Sequence, residues 1–269
     1  VKRDPNVVFE GSIPENYDRY LGPTLFEPFA HDIVERLKRV QPKKVLEVAC
    51  GTGILTRRLR ECLPRARLVA TDLNPGMIAF ARPKFRNDNN VDWQEADAGE
   101  LPFSDGSFDA VVCQFGLMFV PDKESGMREA FRVLNPGGVF LFNVWDSMDR
   151  NQFGAIAHKT ITSFFEHDPP TFYEIPFSFY DVDLIRGLLE KAGFKAIEKS
   201  LVTLPLRSTS AADLAIGLVR GNPTATAIQE RGVDMEAVIG AVRQEIAKHF
   251  GAAPVEGTMQ AFVWRAVHE

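Results

Sequence analysis

Two carboxylates and a glycine loop are the residues of this chain whose types and spacing could do chemistry. The loop lies in the run Glu47-Val48-Ala49-Cys50-Gly51-Thr52-Gly53. Glycines between a strand and a helix let backbone approach a ligand closely and present free N–H groups to it. On its own such a loop fits a plain strand-to-helix turn as readily as a binding site. Asp72 narrows the reading, because it stands 21 residues after Gly51 at the end of the next apolar run. In an open parallel sheet a carboxylate there reaches a ribose held where the strand order reverses. The pair points to an adenosine-containing ligand. A dinucleotide loop wants a third glycine or alanine where this chain has Thr56. Negative charge at Glu47 would repel a pyrophosphate and would suit a ligand carrying an ammonium and a sulfonium. No G-x-x-x-x-G-K-[ST] run occurs, which disfavours a nucleoside triphosphate.

These residues need a strand before the loop, a helix after it, and a second strand beside the first. The sequence supplies them. An amphipathic helix is predicted over about 24–40, after an irregular stretch at 1–20. Residues 45–48 form a short apolar strand, and a helix follows from Ile54 to Cys62. Strands are predicted at 66–71, 91–95, 109–115 and 139–145. Asn74 caps one intervening helix, with Pro75 at its first position, and Asp122 caps another. Alternating strands and helices imply parallel crossovers, and near-continuous apolar strands imply a sheet covered on both faces. Residues 24–146 therefore read as a doubly wound α/β core. Beyond it come an aromatic run at 164–180 and a helix capped by Asp181 and closed by Gly193. A strand at 195–206, helices at 210–219 and 234–249, and a strand at 258–267 complete the chain. No linker-like stretch interrupts it, so 1–269 is expected to be one domain, with 150–257 elaborating the core.

Bulk properties exclude several functions. The net charge is −5 with no long basic run, against a nucleic-acid partner. Three cysteines, none in C-x-x-C spacing, argue against a disulfide framework or a cysteine-rich zinc site. No metal is expected. No apolar stretch approaches membrane-spanning length, so a cytoplasmic protein without a membrane partner is expected. The 21 Phe against 4 Tyr and 3 Trp suit a heavily packed core or an apolar cavity.

Five segments in order give the chain a resemblance to the class I S-adenosylmethionine-dependent methyltransferases, in the ubiquinone-biosynthesis-like (methyltransferase type 11) group. They are Val45 to Gly53, Ala70 to Asn74 with Met77, Ala96-Asp97-Ala98 leading to Leu101-Pro102-Phe103, Phe108 to Val112, and Arg132 to Gly138. The resemblance implies a Rossmann-like, mostly parallel seven-stranded sheet with a helical lid, and S-adenosyl-L-methionine as cofactor. It implies that Glu47 and the loop from Ala49 and Cys50 through Gly51 and Gly53 hold the methionine end. Asp72 would accept both ribose hydroxyls. Leu73 and Met77 would lie against the adenine, and Asp97 and Ala98 would contact its edge. Gln114 and Phe115 would wall the methionine moiety, while Tyr17 and Tyr20 would close over the cofactor. Ala49 departs from the family's usual glycine, which matters if that backbone needs positive φ.

Transfer from a sulfonium needs alignment and dehydration more than covalent chemistry, and a base only where the acceptor must lose a proton. His31, His158, His167 and Glu174 are candidate bases, with His158 and His167 favoured because they flank the aromatic run. The expected acceptor is a small hydrophobic or aromatic molecule methylated on O, N or C, bound under the run at 164–180. A non-catalytic cofactor-binding protein and, further off, a dinucleotide-dependent oxidoreductase are the alternatives. The oligomeric state stays open, a homodimer included.

Overall fold

The computed structural model describes residues 4–269. Its centre is a seven-stranded sheet in the order β3-β2-β1-β4-β5-β7-β6. The strands are β1 Lys44–Val48, β2 Arg67–Asp72, β3 Val91–Glu95, β4 Phe108–Gln114, β5 Leu134–Trp145, β6 Lys195–Ser208 and β7 Val255–Val267. All pairings from β3 through β5 are parallel, and β7 runs antiparallel to both β5 and β6. Strand order reverses between β1 and β4, so their C-terminal ends open a crevice at the place expected for a ligand. The centre is dry because β1 and β4 are apolar on both faces: Val45, Leu46, Val111 and Val112 are buried.

The helices are α1 Ile13–Asn16, α2 Glu27–Leu37, α3 Ile54–Cys62, α4 Pro75–Ala81, α5 Lys123–Val133, α6 Gln152–Thr162, α7 Val182–Ala192, α8 Ala211–Arg220, α9 Thr224–Glu230 and α10 Met235–Phe250. Helices α6, α8 and α10 pack together beyond the fifth strand. Asp122 caps α5 by accepting from the Ser125 N–H at 3.1 Å, and Asp181 caps α7 by accepting from Asp183 and Leu184. Gly193 closes α7 at φ 111°.

The structure departs from the sequence reading in three places. Residues 13–20 are helical rather than irregular, within α1 and a π-helical stretch over Tyr17–Phe26 that leads into α2. Pro14 sits in a first turn, where its missing N–H has no partner to lose. Pro23 lies inside the π register, in which the Glu27 N–H reaches back to the Gly22 carbonyl. Asn74 holds the N-cap position of α4, but its side chain accepts from the Phe9 N–H at 3.1 Å instead of from the helix. The short helix α9 had no clear periodic signal.

Candidate cofactor and acceptor site

The loop after β1 is shaped by three left-handed residues: Ala49 at φ 56°, Gly51 at 55° and Gly53 at 83°. Gly53 also needs its missing side chain, since a Cβ there would meet Phe85 at 3.1 Å and Ala81 at 3.3 Å. Ala49 adopts the positive φ that its place in the loop demands, at a cost of about 1–3 kcal/mol for a non-glycine residue. Its methyl fits because Gly116 faces it across the crevice. A Cβ on Gly116 would stand 2.4 Å from the Ala49 Cβ and 2.7 Å from Cys113 Sγ. The end of β4 mirrors this strain, with Phe115 at φ 52° and its N–H given to the buried Asn143 Oδ1 at 3.0 Å. Two strained strand ends thus meet at one point.

Asp72 is tied into this loop. Its Oδ2 accepts from the Gly51 N–H and its Oδ1 from the Asn74 N–H, both at 2.8 Å. Burial pushes its carboxyl up, opposed by those two N–H groups. Tyr17 lies close by in the π-helical stretch, stacked on Phe26 with ring centres 4.6 Å apart. Burial raises its hydroxyl far above the usual range, with the charges of Asp72 and Asp18 adding to the effect. Lys84 bridges the Asp18 carboxylate (2.5 Å) and the Thr52 carbonyl (3.0 Å), fixing the π-helical stretch to the glycine loop.

A single cavity of about 740 Å³ runs from this loop into the helical elaboration. Tyr17, Ala49, Gly51, Asp72, Leu73, Met77, Asp97, Ala98, Gln114 and Phe115 all line it, as expected. Asp97 Oδ1 accepts from the Gly99 N–H at 2.8 Å, which fixes the turn that bears Ala98. Four expected residues stand off the wall. Cys50 and Gly53 shape the loop from behind. Tyr20 packs against α8, where a Cβ on Gly217 would meet its own Cβ at 2.9 Å. Glu47 is buried beneath the loop, and its Oε2 has no partner among the described residues. Burial lifts its carboxyl to about 8, with Asp72 adding and Thr56 opposing.

The candidate bases are not on the wall either. His167 is exposed. His158 Nε2 lies 3.9 Å from Glu174 Oε1, outside the cavity. The far half of the cavity is aromatic, lined by Phe26, Trp145, Phe153, Phe172 and Phe177. Only Phe172, Tyr173 and Phe177 of the aromatic run reach it; Phe179 is buried behind, and Phe164 and Tyr180 are exposed. Trp145 stacks on Phe115 at 4.0 Å and so joins the two halves. Sequence reasoning missed it, although its place at the C-terminal end of a strand beside the crevice was a usable signal. Phe9 carried no signal, because it enters from the N-terminal segment by a long-range contact.

The residues present fit the expected cofactor. Two buried side-chain oxygens, the carboxyl Oε2 of Glu47 and the amide Oε1 of Gln114, have no partner among the described residues, lie under and beside the loop, and offer acceptors to a cationic ligand. The wall between Leu73 and Ala98 is apolar enough for a purine, and Asp72 offers acceptors beside it.

Comparison with known proteins agrees. The profile of a methyltransferase domain family matches residues 46–142. The demethylmenaquinone methyltransferase of Thermus thermophilus is 40% identical over 116 residues, which cover 43% of this chain and 53% of that protein. The chain thus spans about half the length of that curated relative. The demethylmenaquinone methyltransferase of Staphylococcus carnosus is 28% identical over 218 residues, covering 73% of this chain and 87% of that one. A solved phosphoethanolamine N-methyltransferase 2 of Haemonchus contortus, in complex with S-adenosyl-L-methionine, shares the fold. Its TM-score is 0.59 at 15% identity, over 94% of this chain and 56% of that one. Residues 46–142 thus match a methyltransferase domain family, and over that region the chain is similar to demethylmenaquinone methyltransferases.

Proposed function

We propose that this protein methylates a small, hydrophobic, quinol-like aromatic acceptor. The observation that carries the reading is the continuity of the cavity, in which the ribose-type carboxylate Asp72 and the aromatic wall at Trp145 and Phe177 share one space. A cofactor bound at one end and an acceptor at the other would meet at Phe115 and Gln114. S-adenosylmethionine, when bound, supplies a methyl group whose carbon–sulfur bond breaks with the electron pair left on sulfur.

The chain's own task is then positioning. Asp72 holds the ribose, the loop from Ala49 to Gly53 sets the depth of the methionine end, and the ring wall keeps the acceptor dry and aligned. With His158 and His167 off the wall, the transfer runs without a histidine base, and the acceptor's own electron pair makes the new bond. Within the elaboration at 150–257, helix α6, the segment 172–178 and the end of α8 line the acceptor half and serve as its lid in the same domain, while β6 belongs to the sheet. The acceptor class is drawn from the demethylmenaquinone methyltransferase relatives, whose name is that of a quinone-class acceptor, and the aromatic wall suits such a ring.

The test has two parts. S-adenosylhomocysteine binding is measured by calorimetry, and isotope-labelled methyl donor is offered with pooled phenols, quinols and amines, the products read by mass spectrometry. Micromolar binding and label on an aromatic acceptor are expected. Absence of binding at millimolar ligand overturns the cofactor reading, and binding with no labelled product overturns the enzymatic one.

A further inference from the structure

Most of the far cavity wall is apolar, but it carries one cation. Lys123 opens α5 directly after its cap Asp122 and lines the cavity beside Val120, Pro121 and Ser178. The other charged groups lining the cavity as a whole are the carboxylates Asp4, Asp72 and Asp97. Lys123 Nζ donates to the Met118 carbonyl at 2.9 Å and the Val120 carbonyl at 2.6 Å. It also stands 5.3 Å from the centre of the Phe179 ring. That leaves one of its three hydrogens unassigned. Among the described residues no carboxylate pairs with it, whereas Lys38, Lys84, Lys191 and Lys248 each have one. Asp122, its neighbour in sequence, is committed to the Ser125 N–H.

A half-buried ammonium among carbonyls and a ring is under-compensated. Burial draws it below the ordinary lysine value, with no charged neighbour opposing. An anionic oxygen in the cavity would restore the balance with a charge-assisted hydrogen bond. The position is also selective. Asp72 and Asp97 at the cofactor end repel an anion, so an acceptor bearing one is turned toward Lys123 and presents its opposite edge to Phe115 and Trp145.

We propose that Lys123 is a specificity-determining residue that receives an anionic oxygen of the acceptor, so that the enzyme prefers a carboxylate- or phenolate-bearing aromatic ring over its neutral counterpart. This rests on the methyltransferase reading for the identity of the site, and it concerns only which acceptors the site takes. Two sources could supply the anion: the acceptor, or the carboxylate of the cofactor itself. The geometry favours the acceptor, because Lys123 lies against the lid segment at Ser178 and Phe179 while the methionine end belongs to the loop at Ala49 and Gly51.

The experiment compares 4-hydroxybenzoate with 4-hydroxybenzamide, equal in shape and different in charge, by calorimetry on the free and the S-adenosylhomocysteine-loaded protein. The acid is expected to bind at least about tenfold tighter than the amide, the size of one charge-assisted hydrogen bond. Lys123→Gln abolishes that preference and Lys123→Arg keeps it. Equal binding of acid and amide by the parent protein overturns the proposal. So does a Lys123→Gln variant that weakens both alike, which would make the lysine a clasp for the turn at 118–120. A further arm titrates S-adenosylhomocysteine against 5′-methylthioadenosine, which lacks the carboxylate. If Lys123→Gln weakens the first and spares the second, the cation grips the cofactor and the acceptor assignment falls. Failure of S-adenosylhomocysteine to bind at all sinks the methyltransferase reading instead, and the charge preference is still read on the free protein.

Discussion

Replacing Gly116 by alanine probes the contact on which the cofactor loop depends. The new methyl would lie 2.4 Å from the Ala49 Cβ and 2.7 Å from Cys113 Sγ. Carbon atoms rest at about 3.5–4.0 Å, so the two strand ends would have to part by more than an ångström or twist. Overpacking of this kind costs about 1–3 kcal/mol. In a chain of this size each kcal/mol lowers Tm by roughly 2–4 °C, which places the Gly116→Ala midpoint about 2–12 °C below the parent. Ala49→Gly removes the nearer of the two obstacles. Alone it relieves a left-handed residue, worth about 1–3 kcal/mol. It also loses about 0.8 kcal/mol of methyl burial and about 0.4–1 kcal/mol through the freer unfolded chain, so its own effect lies between about 1 kcal/mol of loss and about 2 kcal/mol of gain. In the double variant Ala49→Gly restores part of what Gly116→Ala loses, with a coupling of at least about 0.5 kcal/mol. The assay is urea denaturation of all four proteins, with S-adenosylhomocysteine calorimetry alongside. A Gly116→Ala protein as stable as the parent, or a strictly additive cycle, refutes the argument that these two strand ends can meet only because one side chain is missing.

Other expectations follow from the same site. Asp72→Asn keeps an acceptor for one N–H group and loses the charge offered to the ribose, so S-adenosylhomocysteine affinity should fall about 10- to 150-fold by calorimetry, equivalent to about 1.5–3 kcal/mol. Glu47, with its carboxyl raised from 4.5 to about 8, keeps a proton in the folded state that the unfolded chain releases. Stability of the ligand-free protein should therefore fall as pH rises from about 4.5 toward about 8, and Glu47→Gln should flatten that slope in urea titrations at several pH values. Tyr173→Phe deletes the hydroxyl that donates to the Leu218 carbonyl at 2.5 Å and accepts from Asn222. A loss of about 1–3 kcal/mol is expected by urea denaturation, with cofactor affinity unchanged. Trp145→Ala should cost about 3–5 kcal/mol and abolish acceptor turnover, while leaving a residual S-adenosylhomocysteine signal in the folded fraction.

The strands and the cofactor half of the cavity were legible because their signals are local. Glu47, Gly51 and Asp72 sit at fixed offsets from apolar runs, and those offsets survive folding as positions on adjacent strand ends. The acceptor half was legible only as a composition. The excess of phenylalanine foretold an apolar cavity, but which rings reach it depends on tertiary packing: Phe172 and Phe177 do, while Phe164 faces solvent. Tyr17 and Tyr20 show the limit sharply. Three residues apart in one helical stretch, they point to different neighbours, and the π register that decides between them leaves no mark in residue types. The stretch at 1–20 reads as irregular although residues 13–20 are helical, because a proline such as Pro14 is tolerated only at certain positions within a turn. Asn74 was assigned to its helix, and the contact it makes to Phe9 spans 65 residues, beyond any local pattern.

That contact also has a bearing on how readily the cavity opens. The N-terminal segment roofs the cavity with Asp4, Val7 and Phe9. Phe9 is held by one hydrogen bond and by edge contacts to Tyr17, Phe119 and Phe172, with centres 6.1–6.3 Å apart. Ring contacts of this kind are worth about 0.5–1.5 kcal/mol each and the hydrogen bond about 1 kcal/mol. The latch therefore amounts to a few kcal/mol, far below the stability of a whole domain, and it can lift without the sheet unfolding. On the methyltransferase reading, spent cofactor would leave as this latch lifts, and the pace of release would rest on three aromatic contacts around Phe9 rather than on the reacting centre.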